Sequence, residues 1–250
     1  MKAMVLAAGL GTRLRPLTDD RPKALVELAG RTLLEITLIR LRDFGVRDVI
    51  INVHHFADMI EGYLREQNNF GMHVEISRED ELLLDTGGGL KKAGWFFQDQ
   101  GGREEPFILH NVDVISDIDL NHMLNHHVQT AVLATVAVQE RQTSRYLLFD
   151  DSLQLCGRKS GRDGKTEVVR REQNLEPLAF AGIHVISPRL IQMITEQGAF
   201  SIIDTYLRLA AQGEKIIAFR ADQYHWRDLG TPQSIADAEK LLRQSSGSAL

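Results

Sequence analysis

Apolar positions along this 250-residue chain change period repeatedly, and each change marks an element. Ala3 to Leu6 is a short apolar run without helical period, bounded by Gly9, and it predicts a buried strand. Thr32 to Phe44 carries Leu34, Leu38 and Leu41 at helical spacing, with Gly45 placed to end the helix. Asp48 to Val53 is nearly continuous in Val49, Ile50, Ile51 and Val53, the pattern of a strand covered on both faces. Ala57 to Gln67 returns to a helical pattern through Ile60 and Leu64, and Val74 and Ile76 alternate with polar residues as in a strand nearer an edge. A helix is predicted over Leu90 to Phe97, after the run Gly87-Gly88-Gly89, and another buried strand over Phe107 to Leu109. Alternating βαβ units of this kind call for an α/β fold with a Rossmann-like, doubly wound, mostly parallel sheet.

The second half is less regular. Thr130 to Val138 predicts a strand, and Tyr146–Phe149 and Leu153–Cys156, joined by Asp150-Asp151-Ser152, predict a hairpin. Arg158 to Thr166 is polar, charged and glycine-bearing, which marks a surface loop. A strand over Leu178 to Ile186 precedes a helix opened by Pro188 and running to about Glu196. Ile202 to Ala211 is a further helix, Ile216 to Phe219 a strand, and Pro232 to Leu242 a last helix with Ile235, Ala238, Leu241 and Leu242 on one side. The expected organisation is one domain over residues 1–243 and a flexible tail over 244–250.

Composition narrows the function classes. Apolar content of 43% and charged content of 25% are those of an ordinary soluble domain, long enough for a sizeable core. With 29 basic against 34 acidic residues there is no basic footprint, so a nucleic-acid polymer is a poor partner. No apolar stretch approaches the roughly 18 residues of a membrane span, and the first residues, running into Gly9, Gly11 and Arg13, do not read as a signal peptide. Cys156 is the only cysteine, which excludes an intramolecular disulfide and a multi-cysteine metal site. A reducing cytoplasm is the expected compartment. The pairs His54-His55 and His126-His127 do not put two imidazoles on one helix face, and no Gly-x-Ser-x-Gly is present, so neither a zinc centre nor a nucleophile-elbow hydrolase is supported.

The chemistry is concentrated in the first twenty-five residues. After the Ala3–Leu6 strand comes Ala7-Ala8-Gly9-Leu10-Gly11-Thr12, small residues that let backbone amides converge into a nest for anions. Arg13, Arg15 and Lys23 add positive charge, so that a triphosphate would meet both amides and cations. Gly9-x-Gly11 alone is also what a tight turn needs, and the third glycine of the dinucleotide pattern and the Gly-Lys-Ser/Thr of a P-loop are both missing. The longer run Leu-Ala-Ala-Gly-x-Gly-Thr-Arg-Leu-x-Pro-Leu-Thr, followed by Pro22-Lys23-Ala24-Leu25, closely resembles the signature of the sugar-1-phosphate nucleotidyltransferases.

That resemblance implies a GT-A-like catalytic domain that joins a nucleoside triphosphate to a sugar 1-phosphate with Mg²⁺. It implies nucleotide binding by Ala7, Ala8, Gly9, Gly11 and Thr12, and phosphate handling by Arg13 and Lys23. Asp113, in His110-Asn111-Val112-Asp113, follows an apolar strand where open α/β sheets bind ligands, although position alone fits a turn-capping aspartate equally. The family carries Gly-Asp there and holds Mg²⁺ on the aspartate; here valine replaces the glycine, and a β-branched residue calls for an extended backbone. Trp226-Arg227-Asp228-Leu229-Gly230-Thr231 resembles the second metal-binding strand, with Asp228 completing the Mg²⁺ site; Asp228 and Thr231 also suit a turn and N-cap before Pro232.

By the same resemblance Thr86, Gly87 and Gly88 read the nucleobase, while Asn111 and Gly182 hold the sugar, ordinary loop flexibility and core packing being the plain alternatives. Asp85-Thr86-Gly87-Gly88-Gly89 is most similar to enzymes that join UTP to N-acetylmuramate 1-phosphate, and to near relatives that guanylylate mannose or heptose 1-phosphate. No hexapeptide repeat follows, so the catalytic domain alone is expected. Two other classes remain open: a non-catalytic nucleotide-sugar-binding protein, and a dinucleotide-dependent oxidoreductase, which the missing third glycine disfavours.

Overall fold

The computed structural model describes residues 1–98, 105–161 and 163–246. Strand β1 (Lys2–Leu6) lies at the centre. Successive strand residues face opposite sides, so Ala3 and Val5 enter one core cluster and Met4 the other. A two-stranded ribbon, β2 (Glu27–Leu28) and β3 (Arg31–Thr32), leads into helix α1 (Leu33–Phe44). Thr32 caps that helix, its Oγ1 accepting the Glu35 N–H at 3.0 Å, and Gly45 ends it as the sequence predicts. Strand β4 (Asp48–Val53), helix α2 (Ala57–Glu66) and strand β5 (His73–Arg78) follow as expected.

Several boundaries differ from the sequence reading. Helix α3 is Asp85–Lys92, so Gly87-Gly88-Gly89 lies inside a helix instead of before one, and Ala93–Phe97 continues only as a 3₁₀ turn. Glycine is the poorest ordinary helix former, and here packing outweighs propensity. After β6 (Phe107–Asn111) and the short β7 (Val114–Ser116), residues up to Thr130 form an unexpected helix, α4 (Leu120–Thr130), so that β8 (Ala134–Gln139) starts later than predicted. Asp119 caps α4 through the Asn121 and His122 amides at 2.9 and 3.0 Å. The helix hides its period because a buried His127 stands where an apolar residue would signal it.

Strands β9 (Arg145–Phe149) and β10 (Leu155–Ser160) make the predicted hairpin, but β10 runs on to pair with β11 (Thr166–Val168), so much of the expected surface loop is strand. Beyond β12 (Glu176–Ile186), the helix after Pro188 is a single turn, α5 (Arg189–Gln192), far shorter than expected. Helix α6 (Ile202–Ala211), β13 (Ile216–Arg220) and β14 (Trp226–Asp228) precede α7 (Pro232–Ser246), which takes in the start of the predicted tail; 247–250 lie outside the described residues.

The main sheet has the order β11-β10-β9-β12-β6-β1-β4-β5, with β8 on β12 and β13 on β8. Its centre, β6-β1-β4-β5, is parallel, and β12 runs antiparallel to β6. Buried residues of α1, α2 and α4 share one core cluster, and those of α3, α5 and α6 the other, so the sheet is covered on both faces. This order leaves the carboxyl ends of β1 and β6 side by side, with β4 flanking one and β12 the other.

Candidate active site

The turn after β1 is anchored before it opens. Ala7 N–H donates to Asn52 Oδ1 (2.8 Å), Asn52 Nδ2 donates to Glu79 Oε1 (2.8 Å), and Glu79 Oε2 accepts Leu84 N–H (2.8 Å). Asn52 and Glu79 are buried, so the Ala7 amide is spent inside the protein and does not belong to the anion nest that the sequence predicted from it. Neither Asn52 nor Glu79 was singled out from sequence; a polar residue inside the apolar run of β4 was the available signal. Ala8 is also buried, whereas the amides of Gly9, Leu10 and Gly11 donate to no protein group among the described residues.

Gly11 sits at φ +64°, and a Cβ there would lie 2.9 Å from Thr18 Cγ2 and 3.1 Å from Lys23 Cβ, so only glycine fits. Thr18 Oγ1 donates to Gly11 O at 2.9 Å and fixes the turn. Gly9 has no atom within 4 Å of its would-be Cβ, which leaves the loop face beside it open. Thr12 and Arg13, in the 3₁₀ turn Thr12–Leu14, are exposed.

Four predicted charged residues close a ring around this loop. Lys23, packed beneath Gly11, forms an ion pair with Asp113 Oδ2. Both side chains are mostly buried, at 14% and 11% exposure, so the pair is screened little by water. Asp113 O accepts Leu229 N–H at 2.8 Å, and β7 pairs with β14 in the register Val114↔Asp228, which sets Asp228 beside Asp113 along the two backbones. Asp228 Oδ1 accepts Gly230 N–H at 2.6 Å, and a Cβ on Gly230 would meet Asp228 Oδ1 at 2.5 Å and Arg13 Nη2 at 2.6 Å. Gly230 is therefore the gap across which Arg13 approaches Asp228. Asp228 is exposed to solvent and Asp113 is not.

The donor set suits a hard divalent cation. Magnesium takes oxygen ligands and is held by one or two carboxylates together with substrate phosphates and water. Asp113 and Asp228 supply two carboxylates, and no cluster of three or more His, Cys, Asp or Glu is present among the described residues. Val112 does not adopt positive φ, so valine meets no left-handed penalty, and it lies in the turn between β6 and β7. Thr231 caps α7 in a reciprocal arrangement, its Oγ1 accepting Ser234 N–H at 3.2 Å while its N–H donates to Ser234 Oγ at 3.2 Å.

Gly182 and Asn111 do come together. Gly182 lies in β12 at φ +74°, inside a register shift between Phe180 and His184, and its would-be Cβ sits 2.8 Å from Val114 Cγ2 and 3.0 Å from Asn111 Nδ2. Asn111 ends β6 and is half-buried.

The glycine run behaves differently from its predicted role. Gly87 and Gly88 amides both donate to Phe200 O, at 2.9 and 3.3 Å. A Cβ on Gly88 would stand 2.5 Å from Gly198 O, one on Gly87 2.9 Å from Ile202 N, and one on Gly89 2.7 Å from Asn52 Nδ2. Polypeptide, not open space, thus covers all three. The Thr86 hydroxyl accepts Ile202 N–H at 3.0 Å at the start of α6. These residues lock α3 onto the 198–202 segment, and the close approach that glycine permits is to the protein itself.

Beneath β6 a buried polar pair steadies the strand that carries Asn111. Arg40 of α1 meets His110 Nε2 at 3.1 Å and donates to Ile118 O at 2.6 Å. Burial, reinforced by the Arg40 charge, pushes His110 down to about 3, so the imidazole is neutral. Its Nε2 then accepts from Arg40, and its Nδ1 donates to Asn111 O at 2.8 Å. Burial also lowers Arg40 to about 10 and raises the Cys156 thiol to about 11, which leaves that cysteine protonated and inert. No helix among the described residues is long and apolar enough to cross a membrane.

Comparison with known proteins bears on the family and the fold. The family model described as nucleotidyl transferase matches residues 2–149. The N-acetylmuramate alpha-1-phosphate uridylyltransferase of Caulobacter vibrioides is 35% identical over 97% of both chains. The mannose-1-phosphate guanylyltransferase catalytic subunit beta of Danio rerio is 30% identical over 98% of this chain and 65% of its own length. A crystal structure of UDP-glucose pyrophosphorylase complexed with UDP-glucose shares the fold, with a TM-score of 0.77 at 18% identity over 98% of each chain.

Proposed function

The chain belongs to the nucleotidyl transferase family, and we propose that it joins UTP to N-acetylmuramate 1-phosphate, releasing pyrophosphate. The observation that carries the chemistry is the ring in which Lys23, Asp113, Asp228 and Arg13 surround the open face at Gly9. The similarity to the Caulobacter vibrioides uridylyltransferase over nearly the whole of both chains supports this substrate pair. Guanylyl transfer to mannose 1-phosphate is the second reading, favoured by the Danio rerio relative. The reading also puts the reaction in the cytoplasm, where nucleoside triphosphates are made, and its product in cell-wall synthesis.

In this reaction an oxygen of the sugar 1-phosphate attacks the α-phosphorus of the triphosphate in line, and pyrophosphate leaves. The difficulty is electrostatic, because two anions must meet and charge builds on the leaving group. The amides of Gly9, Leu10 and Gly11 cradle the triphosphate without moving. Arg13, at the rim, neutralises the departing pyrophosphate. Lys23 leaves Asp113 and lies between the two phosphates, lowering their repulsion as they approach. Asp113 and Asp228 would hold Mg²⁺, which when bound would supply further charge neutralisation. Asn111 and Gly182 bound the sugar. No side chain forms a covalent bond with substrate.

The test is pyrophosphate release over UTP, GTP, CTP and dTTP crossed with N-acetylmuramate, N-acetylglucosamine, glucose and mannose 1-phosphates. The highest kcat/KM is expected for UTP with N-acetylmuramate 1-phosphate. A guanylyl–mannose maximum establishes the second reading, and nucleotide binding without turnover of any pair makes the chain a binding protein.

A further inference from the structure

Arg141 lies outside every motif described above, yet it is built into the acceptor side of the site. It follows β8, where Gln139 Nε2 donates to Ala221 O and Tyr224 O at 2.8 and 2.9 Å and Glu140 N–H donates to Asp222 Oδ1 at 2.6 Å. These bonds fasten the loop to the segment entering β14. The Arg141 guanidinium stacks 3.7 Å over the Trp226 ring. Its Nη2 donates to Phe180 O at 2.7 Å, while Trp226 Nε1 donates to the next carbonyl, Ala181 O, at 2.6 Å. Both carbonyls belong to the stretch of β12 where the register with β8 shifts, immediately before Gly182.

Two consequences follow from this placement. Trp226 and Asp228 are two apart on β14 and share a face, so a cation stacked on Trp226 stands on the side of the strand where the Asp228 carboxylate projects. Sheet order then decides which substrate it serves. The phosphate loop follows β1, β6 is next, and β12 lies beyond β6, so Arg141 sits on the flank opposite the β4 and α3 side.

Arg141 is also undersatisfied. Its Nε is buried and has no hydrogen-bond partner among the described residues, and Nη1 makes no hydrogen bond either. The charged or titratable groups facing it are Asp228 and Tyr146, and their pull does not offset burial, which lowers Arg141 from its ordinary value. A guanidinium stays protonated even so, leaving a half-buried cation with spare donors beside the acceptor subsite.

We propose that Arg141 recognises the acceptor: its guanidinium binds an anionic oxygen of the sugar, either the 1-phosphate or a carboxylate on the ring substituent. This rests on the transferase reading above. Phosphate and carboxylate share the planar or tripodal oxygen chemistry that arginine matches, and the two sources are separable with a pair of acceptors. N-acetylmuramate 1-phosphate carries both anions; N-acetylglucosamine 1-phosphate carries only the phosphate.

Arg141→Gln and Arg141→Lys, each checked for an unchanged melting temperature, are to be compared with wild type in steady-state kinetics with both acceptors. Arg141→Gln is expected to raise the acceptor KM tenfold or more and to leave the UTP KM within twofold; Arg141→Lys should recover part of the loss. A rise confined to N-acetylmuramate 1-phosphate assigns the contact to the carboxylate, and a rise with both acceptors assigns it to the 1-phosphate. An unchanged acceptor KM, or equal rises in acceptor and UTP KM, overturns the proposal. Should wild type turn over no pair, the transferase reading fails by itself. Calorimetric binding of the two sugar 1-phosphates to wild type and Arg141→Gln then judges Arg141: tenfold weaker binding supports it and equal binding overturns it.

Discussion

Lys23 and Asp113 are ninety residues apart in sequence and form a direct, largely buried ion pair beside the Gly9–Gly11 loop. Each neutralises the other before substrate arrives, and their attraction offsets part of the desolvation cost of holding two charges in a water-poor site. Both have work with anions or cations in the proposed reaction, so the pair must exchange partners when the substrates bind.

Replacing Lys23 by Met keeps the stem that packs under Gly11 and removes the charge. Steady-state kinetics should show kcat/KM lowered by about 100-fold or more, near 3 kcal/mol of transition-state stabilisation. Equal kinetics in a folded Lys23→Met variant would reduce Lys23 to a structural partner of Asp113.

Asp228→Asn tests the carboxylate as a ligand. Asn keeps the Oδ1 that accepts Gly230 N–H at 2.6 Å but lacks the charge that attracts a hard cation. Turnover should collapse, the melting temperature should shift by the equivalent of about 1 kcal/mol at most, and wild-type turnover should stop in EDTA and return with excess Mg²⁺. Loss of stability with intact activity would make Asp228 a scaffold residue.

Gly230→Ala adds one methyl where Asp228 Oδ1 and Arg13 Nη2 would stand 2.5 and 2.6 Å away. Arg13 is an exposed residue with a flexible side chain that can retreat, so the fold should tolerate the change while kcat/KM drops about tenfold or more. Activity equal to wild type would show that the approach of Arg13 to Asp228 is not used.

Gly88→Ala separates packing from nucleobase reading. Alanine is the better helix former by about 1 kcal/mol, yet its Cβ would lie 2.5 Å from the Gly198 carbonyl, a backbone atom with little freedom. Net destabilisation of roughly 1–3 kcal/mol is expected, read as a lowered melting temperature. A variant of unchanged stability with weakened nucleotide binding would restore the nucleobase role.

Acid should destabilise the fold early. His110 and His184 are fully buried, and burial, with smaller contributions from Arg40 and His110 respectively, pushes each down to about 3. The unfolded chain takes up these protons near pH 6.5 while the folded chain does not, so the stability they contribute is present above pH 6.5 and is lost as pH falls towards 3. At pH 5 each histidine costs about 2 kcal/mol relative to neutral pH. Denaturant melts at pH 7.5 and 5.0 measure this directly, and a flat profile would mean that the buried imidazoles are protonated in the fold.

The sequence by itself pointed to the family through a long motif resemblance, and it singled out the loop after β1 and the four charged residues that the structure brings into one ring. Gly11 must take positive φ, small residues must free the amides after β1, and a carboxylate must follow a central strand. It also called for a mostly parallel sheet, since the continuous apolar runs of β1, β4 and β6 can be satisfied only between two helix layers, with the alternating β5 nearer an edge. Tertiary structure alone decided what depends on distant partners. The Gly87–Gly89 run reads as a loop because glycine destabilises an isolated helix, and only the 198–202 segment lying against it makes a glycine helix the better solution. Asn52 and Glu79 matter through a hydrogen-bond chain that joins Ala7 to Leu84, four residues that no local spacing connects. Arg141 gains its place from β12 and β14, which come after it in the chain by dozens of residues. Backbone preference and hydrophobic period are properties of neighbours in sequence, whereas ion pairs, close glycine contacts and stacked rings are properties of neighbours in space.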